Sequence, residues 1–303
     1  MSTPNLTPPT DNALTTAIAA LLTPLGGRTA IAAHRTPTAT PPRALPLLSQ
    51  RPPDDDADHD HDHDRTPAIH GREHDSDTVL LREHDIFPAA SLSKICIAIE
   101  LFRRASLGQF DLDERLDTST EPRVGGGGVL DYLHPDTRLT LNDLCFLMLG
   151  VSDNTAANFL LDLLGIGEIN ETLSRLNLEH TRLARHFMDW EARANHRDNL
   201  TTAADIATLL LLIRGNALPG ARRLRDLLAA QQCADDIAAW LPESAQLAHK
   251  TGSLEDTFHD AGILTGPSGA CVFCVLTTDQ PNPPAARTAV GHTIRLLWDA
   301  WCA

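Results

Sequence analysis

Of the 25 basic residues in this 303-residue chain, only Lys94 and Lys250 are lysines, and every other cation is an arginine. Arginine keeps its proton inside a protein, whereas lysine gives it up when desolvated or set beside a second cation. A chain that spends lysine at two positions only marks those positions for proton chemistry. Ser91 lies three residues before Lys94, at the head of the apolar stretch Ser-Leu-Ser-Lys-Ile-Cys-Ile-Ala-Ile, and helical spacing puts the two side chains on one face. A serine hydroxyl is a weak nucleophile until a base takes its proton. At an ordinary lysine pKa roughly one molecule in a thousand is neutral at pH 7, so Lys94 serves as that base only if its pKa is depressed. A helix N-terminus and a second cation at Lys250 both act in that direction.

Two further clusters carry suitable groups. Ser152-Asp153-Asn154 offers a hydroxyl to relay a proton and an amide to hold a carbonyl, although the same residue types are also ordinary helix N-caps. Lys250-Thr251-Gly252-Ser253 offers a cation and two hydroxyls for a substrate carboxylate, with a glycine that lets backbone approach an oxyanion.

The elements that must position these groups are legible from periodicity. A helix over about 12–23, a strand near 28–33 and a second strand at 78–82 precede the apolar helix that starts at Ser91. Helical blocks fill 141–149, 154–164 and much of 167–214. Three strands (246–253, 259–265, 270–278) and an amphipathic helix over about 284–301 follow. Strands at both ends with helices between predict an α/β fold, an antiparallel sheet with flanking helices built from both chain ends plus an inserted all-helical domain. The expected organisation is a disordered tail at 1–10, a sheet domain from 11–35, 78–88 and 216–303, a disordered Pro/Asp/His-rich insertion at 36–77, and a helical domain at 89–215. The run Asp54 to Asp64 holds seven carboxylates in eleven residues. It reads as a solvated loop rather than a metal site, so neither metal nor cofactor is expected. The Cys271-x-x-Cys274 pair falls on a strand, where residues three apart face opposite sides, which predicts buried free thiols.

The three boxes, in this order and using both lysines, resemble the S-x-x-K, S-D-N and K-T-G elements of class A β-lactamases and penicillin-binding serine hydrolases. The likeness covers about 12–34 and 78–302. It implies attack by Ser91 on an amide or ester carbonyl, proton movement through Lys94 and Ser152, and a substrate carboxylate held by Lys250 and Thr251. It further implies an oxyanion hole from the N–H groups of Ser91 and Ser253, and a substrate side chain held by Asn154. The family's deacylating glutamate, typically in Glu-x-x-Leu-Asn, has several counterparts here. Glu191, which keeps the spacing to Asn195 but has Ala194 for the leucine, is expected to take this role; Asp189 is another candidate, counting instead from Thr181-Arg-Leu puts Phe187 at the glutamate position, and no dedicated base is the remaining alternative. Both acids also read as a solvated loop paired to Arg185 or Arg193. With Ala98 opposite Cys145, the disulfide of some members is expected to be absent.

A formal charge of −15 argues against nucleic acid or an anionic membrane as partner, and no apolar run reaches the length of a membrane span. A monomer acting on a small carboxylate-bearing acyl substrate is expected. A cytoplasmic location is expected from the absence of a leader in the chain as given, and a secreted one if a leader precedes it. A D-alanyl-D-alanine peptidase, a cytoplasmic esterase or transacylase, and a non-catalytic acyl- or metal-binding protein are the alternatives.

Overall fold

In β1 (Arg28–Thr36) the buried residues alternate, Ala30 and Ala32 toward one core and Ile31 and Ala33 toward the other. A strand covered on both faces belongs inside a layered fold. The computed structural model describes residues 11–37, 77–233 and 235–303. The expected tail at 1–10, and the expected insertion apart from its first two residues and its last, lie outside the described residues. β1 pairs antiparallel with β2 (Thr78–Leu81) and with β9 (Ala270–Thr278), and β8 (Thr257–Thr265) joins β9 to β7 (Gln246–Leu254). The sheet order is β2-β1-β9-β8-β7. On β9, Cys271 faces one core and Cys274 the other, and both are free thiols.

One face of the sheet is covered by α1 (Asp11–Leu22) and α10 (Pro283–Trp301), through Leu14, Ile18, Ile294 and Leu297. The other face meets the helical region. There, α2 (Ser93–Ser106) is central, buried along nearly its whole length. Its one buried acid, Glu100, is tied by Arg103, Arg104 and Thr172, partners that a buried carboxylate requires.

One short two-stranded pair, β3 (Phe87–Pro88) with β6 (Leu200–Thr201), joins this region to the rest, and another, β4 (Arg115–Asp117) with β5 (Arg138–Thr140), lies within it. Helices α3 (Leu141–Gly150), α4 (Asn154–Leu164), α5 (Ile166–Arg175) and the short α6 (Trp190–Ala194) follow. Then come α7 (Ala203–Arg214), α8 (Ala221–Ala229) and a single turn, α9 (Asp235–Ala238). Residues of α2, α7, α8 and the sheet share one apolar cluster, so the expected boundary at 215–216 falls between two helices of a common core. Among the described residues no helix is long and apolar enough to cross a membrane, and no group of metal-ligating side chains forms.

Candidate active site

Ser91 sits in a 3-10 turn (Ala90–Leu92) that feeds directly into α2. Ala90 holds φ +45°, a left-handed conformation costly for a residue with a Cβ. The turn is fixed from the sheet side. His259 on β8 is buried, and its Nδ1 accepts the Thr277 N–H at 3.1 Å, which leaves Nε2 to donate to the Pro88 carbonyl at 2.7 Å. Burial pushes its pKa down to about 4, so it stays a neutral strut. Gly252 brings β7 against the same turn, where an added Cβ would stand 3.3 Å from the Ala90 Cβ.

Lys94, fully buried, donates from Nζ to the Ser152 carbonyl at 2.6 Å, to Asn154 Oδ1 at 2.7 Å and to Ser152 Oγ at 3.2 Å. Lys250, also fully buried, donates to the same Ser152 Oγ at 3.0 Å and to the Thr251 carbonyl at 2.9 Å. One hydroxyl therefore links both lysines of the chain. Burial, reinforced by the Lys250 charge and opposed by Asp153, holds Lys94 well below the usual lysine range. Burial lowers Lys250 to about 8.

The S-D-N turn divides its labour. Ser152 takes φ +57° to present its hydroxyl. Asp153 caps α4 through the Ala156 N–H and also accepts the N–H groups of Val129 and Leu130. Asn154 donates from Nδ2 to the Gly125 carbonyl at 2.9 Å, so the glycine run 125–128 is laid against the site. Gly126 and Gly128 have positive φ, and a Cβ on Gly128 would meet the Asp153 carboxylate at 2.2 Å.

Ser91, Asn154 and Ser253 line a cavity of about 230 Å³. A second cavity, about 410 Å³, shares Ser253 and adds Thr251, Cys233 and Arg287. The structure thus brings together Ser91, Lys94, Ser152, Asn154, Lys250, Thr251, Gly252 and Ser253. It does not bring Glu191 to them: Glu191 is exposed on α6 and absent from the lining of either cavity. Asp189 is used as the α6 N-cap, accepting the Ala192 N–H.

The residue pressed against the lysine is Phe187, whose ring centroid lies 4.6 Å from Lys94 Nζ. The Asn158 amide clasps its backbone in both directions, accepting the Phe187 N–H at 2.8 Å and donating to its carbonyl at 3.1 Å. Asn199 and the Arg185–Asp198 ion pair hold the rest of this loop. Sequence reasoning missed Asn158, His259 and Arg287. The only signal for Phe187 was the count from Thr181.

Residues 59–301 match the model of the "Beta-lactamase enzyme family". A β-lactamase from Streptomyces cellulosae is 32% identical over 230 residues, covering 69% of this chain and 70% of that protein. The crystal structure of a β-lactamase from Sphaerobacter thermophilus superposes with a TM-score of 0.76 at 26% identity, covering 95% of this chain and 97% of the other. An ancestral class A β-lactamase gives 0.74 at 25%, covering 95% and 99%. A serine at the head of a buried helix, two desolvated lysines meeting at one hydroxyl, and the breadth of these matches lead to one conclusion: the chain belongs to the β-lactamase enzyme family, as a serine hydrolase of class A type.

Proposed function

We propose that Ser91 Oγ attacks the carbonyl of a β-lactam or a related amide and carries the acyl group as an ester. Neutral Lys94 takes the Ser91 proton, and its depressed pKa raises the share of that form. Ser152, between the two lysines, passes a proton to the departing nitrogen. The N–H groups of Ser91 and Ser253 receive the oxyanion, and Asn154 meets the carbonyl of the acyl side chain. A substrate carboxylate rests at Lys250, Thr251 and Ser253, with Arg287 on the wall of the adjoining cavity. The protein acts as a monomer on a small carboxylate-bearing molecule. The convergence of both lysines on Ser152 Oγ, at 3.2 and 3.0 Å, carries this reading.

Intact-protein mass after addition of benzylpenicillin tests it. A single adduct on the wild type that vanishes in Ser91→Ala supports the reading. An unmodified wild type under saturating β-lactam that also opens no β-lactam ring would sink it. A second reading, a peptidase, esterase or transacylase on the same site, draws on the lining of the Ser91 cavity, which holds no carboxylate or imidazole. A purely acyl-binding protein would instead keep its function in Ser91→Ala.

A further inference from the structure

Of the six cysteines, Cys271 and Cys302 stand against each other: both are buried, and their Sγ atoms lie 3.9 Å apart. The contact depends on a close backbone fit. The turn between β8 and β9 carries Gly266 and Gly269, and the end of α10 rests directly on it. A Cβ at Gly266 would stand 2.2 Å from the Cys302 carbonyl oxygen, and one at Gly269 2.5 Å from that of Trp301. The Ser268 N–H donates to the Cys302 carbonyl at 3.2 Å, and the Cys302 N–H donates to the Trp298 carbonyl at 2.8 Å. Two glycines and two backbone hydrogen bonds therefore hold Cys302 over Cys271. This end of the sheet lies close to solvent, since Arg35, which pairs with Cys271 across the β1–β9 ladder, keeps a side chain 47% exposed. The Cys271 thiol, together with the Arg35 and Arg214 charges, pulls Cys302 below the usual thiol range despite its burial. Burial pushes Cys96 and Cys145 the other way, up to about 12. Because the thiolate is the form that reacts with an oxidant, Cys302 is the buried cysteine best placed to react.

We infer that Cys271 and Cys302 form a redox site, at which a small peroxide converts the two thiols into a disulfide that ties the end of α10 to β9. The inference stands independently of the acyl-enzyme reading. The Cys302 thiolate attacks one peroxide oxygen. An S–O bond forms, the O–O bond breaks, and hydroxide leaves as water with the proton that Cys302 released. Cys271 then attacks Cys302 Sγ. The S–S bond forms, the S–O bond breaks, and a second water carries off the Cys271 proton. Each sulfur is oxidised by one electron, and the peroxide is reduced to two waters. The sulfurs have to approach from 3.9 Å to about 2 Å. The link removes freedom from the unfolded chain and fastens the helix that, with α1, covers one face of the sheet.

The test uses the full chain carrying Cys233→Ser, which removes the exposed cysteine, reduced and then treated while folded with hydrogen peroxide. Peptide mapping without reductant is expected to show Cys271 joined to Cys302, with the intact mass lower by two hydrogen atoms and restored by dithiothreitol. Cys271→Ser and Cys302→Ser, each added to this parent, are expected to abolish the link. Gly266→Ala, whose Cβ pushes the end of α10 off the turn, is expected to slow closure at least about tenfold, since small misplacements of reacting atoms cost that much or more. The linked protein is expected to unfold in urea with an equilibrium constant at least about tenfold smaller than that of the reduced protein. Added oxygen on Cys302 without a link overturns the inference. So do two thiols that can still be alkylated after peroxide treatment, or a link that forms only once the chain has been unfolded. If a serine variant does not fold, the map of the parent protein still decides.

Discussion

On the Ser152 side of Ser91, both lysines donate to one hydroxyl, and Lys94 donates as well to the Ser152 carbonyl and the Asn154 amide oxygen, all at 2.6–3.2 Å. On the Phe187 side, Phe187, Met188 and Trp190 line the cavity beside Arg185 and Asn199, and Asn158 pins the backbone of Phe187. The first wall consists of groups that cost free energy to bury and are retained as a connected set. The second carries no carboxylate or imidazole. On the proposed mechanism, making an acyl-enzyme and discharging it depend on different segments of chain. Changes on the polar wall should alter acylation, and changes on the Phe187 wall should alter the lifetime of the acyl-enzyme.

The largest effect is expected for Lys94→Arg, which keeps the charge and removes the base. Acylation should fall roughly 10²–10⁴-fold, read as the rate at which the mass adduct forms, and a normal rate would break the assignment of the polar wall. The pH profile sharpens it. Acylation rises as Lys94 loses its proton, at a pH well under the lysine norm, and declines for carboxylate-bearing substrates as Lys250 discharges near pH 8. Stability moves with the opposite sign. Folded Lys250 binds its proton less tightly than the unfolded chain does, so between about 8 and the ordinary 10.5 the unfolded state holds more protons. Its contribution to stability grows with pH across that window, by at most about 1.4 kcal/mol per unit. Urea midpoints should show that rise flattened in Lys250→Met.

Asn158→Ala releases the Phe187 backbone and should cost about 1–3 kcal/mol of unfolding free energy, with a shorter-lived adduct at unchanged acylation. Gly126→Ala places a Cβ 2.5 Å from Met188 Sδ, at φ +81°. About 1 kcal/mol of destabilisation is expected from the backbone conformation alone, together with a several-fold slower acylation through the Asn154 contact. The smallest effect belongs to Glu191→Gln. Because this side chain is exposed and away from both cavities, the adduct lifetime should stay within about twofold. A longer lifetime would return Glu191 to the role its spacing implied.

How far the sequence disclosed this division depends on where its information lies. Ser91, Lys94 and the S-D-N turn are read locally, because helix starts and caps have short-range rules. Lys250, like Lys94, stood out through composition, and again through the Lys250-Thr251-Gly252-Ser253 cluster. The sheet was legible from short apolar runs, clearest in β1 and β9, whose residues are buried on both faces. The segment 179–199 has no such run. Its register is set by Asn158 from outside the segment and by Asn199 and Asp198 closing back on residues 184–185, contacts that leave no repeat to detect. As a string, the count from Glu191 to Asn195 stood ahead of the count from Thr181, and the clasp of Asn158 on Phe187 was visible in neither. His259 was hidden for a similar reason, since its role lies in reaching the Pro88 carbonyl 171 residues earlier.

The pairing of β1 with β9 joins Thr36 to Ala270, 234 residues apart. The meander β7-β8-β9 is local and assembles without waiting for it, but the chain entropy of closing so long a loop delays β1 until the intervening helices have condensed. Until then β9 is an apolar strand with one open edge, a template for pairing with other chains. Refolding from denaturant should consequently be slow and concentration-sensitive. The race between β1 and a neighbouring molecule for the edge of β9 then governs the yield of active enzyme.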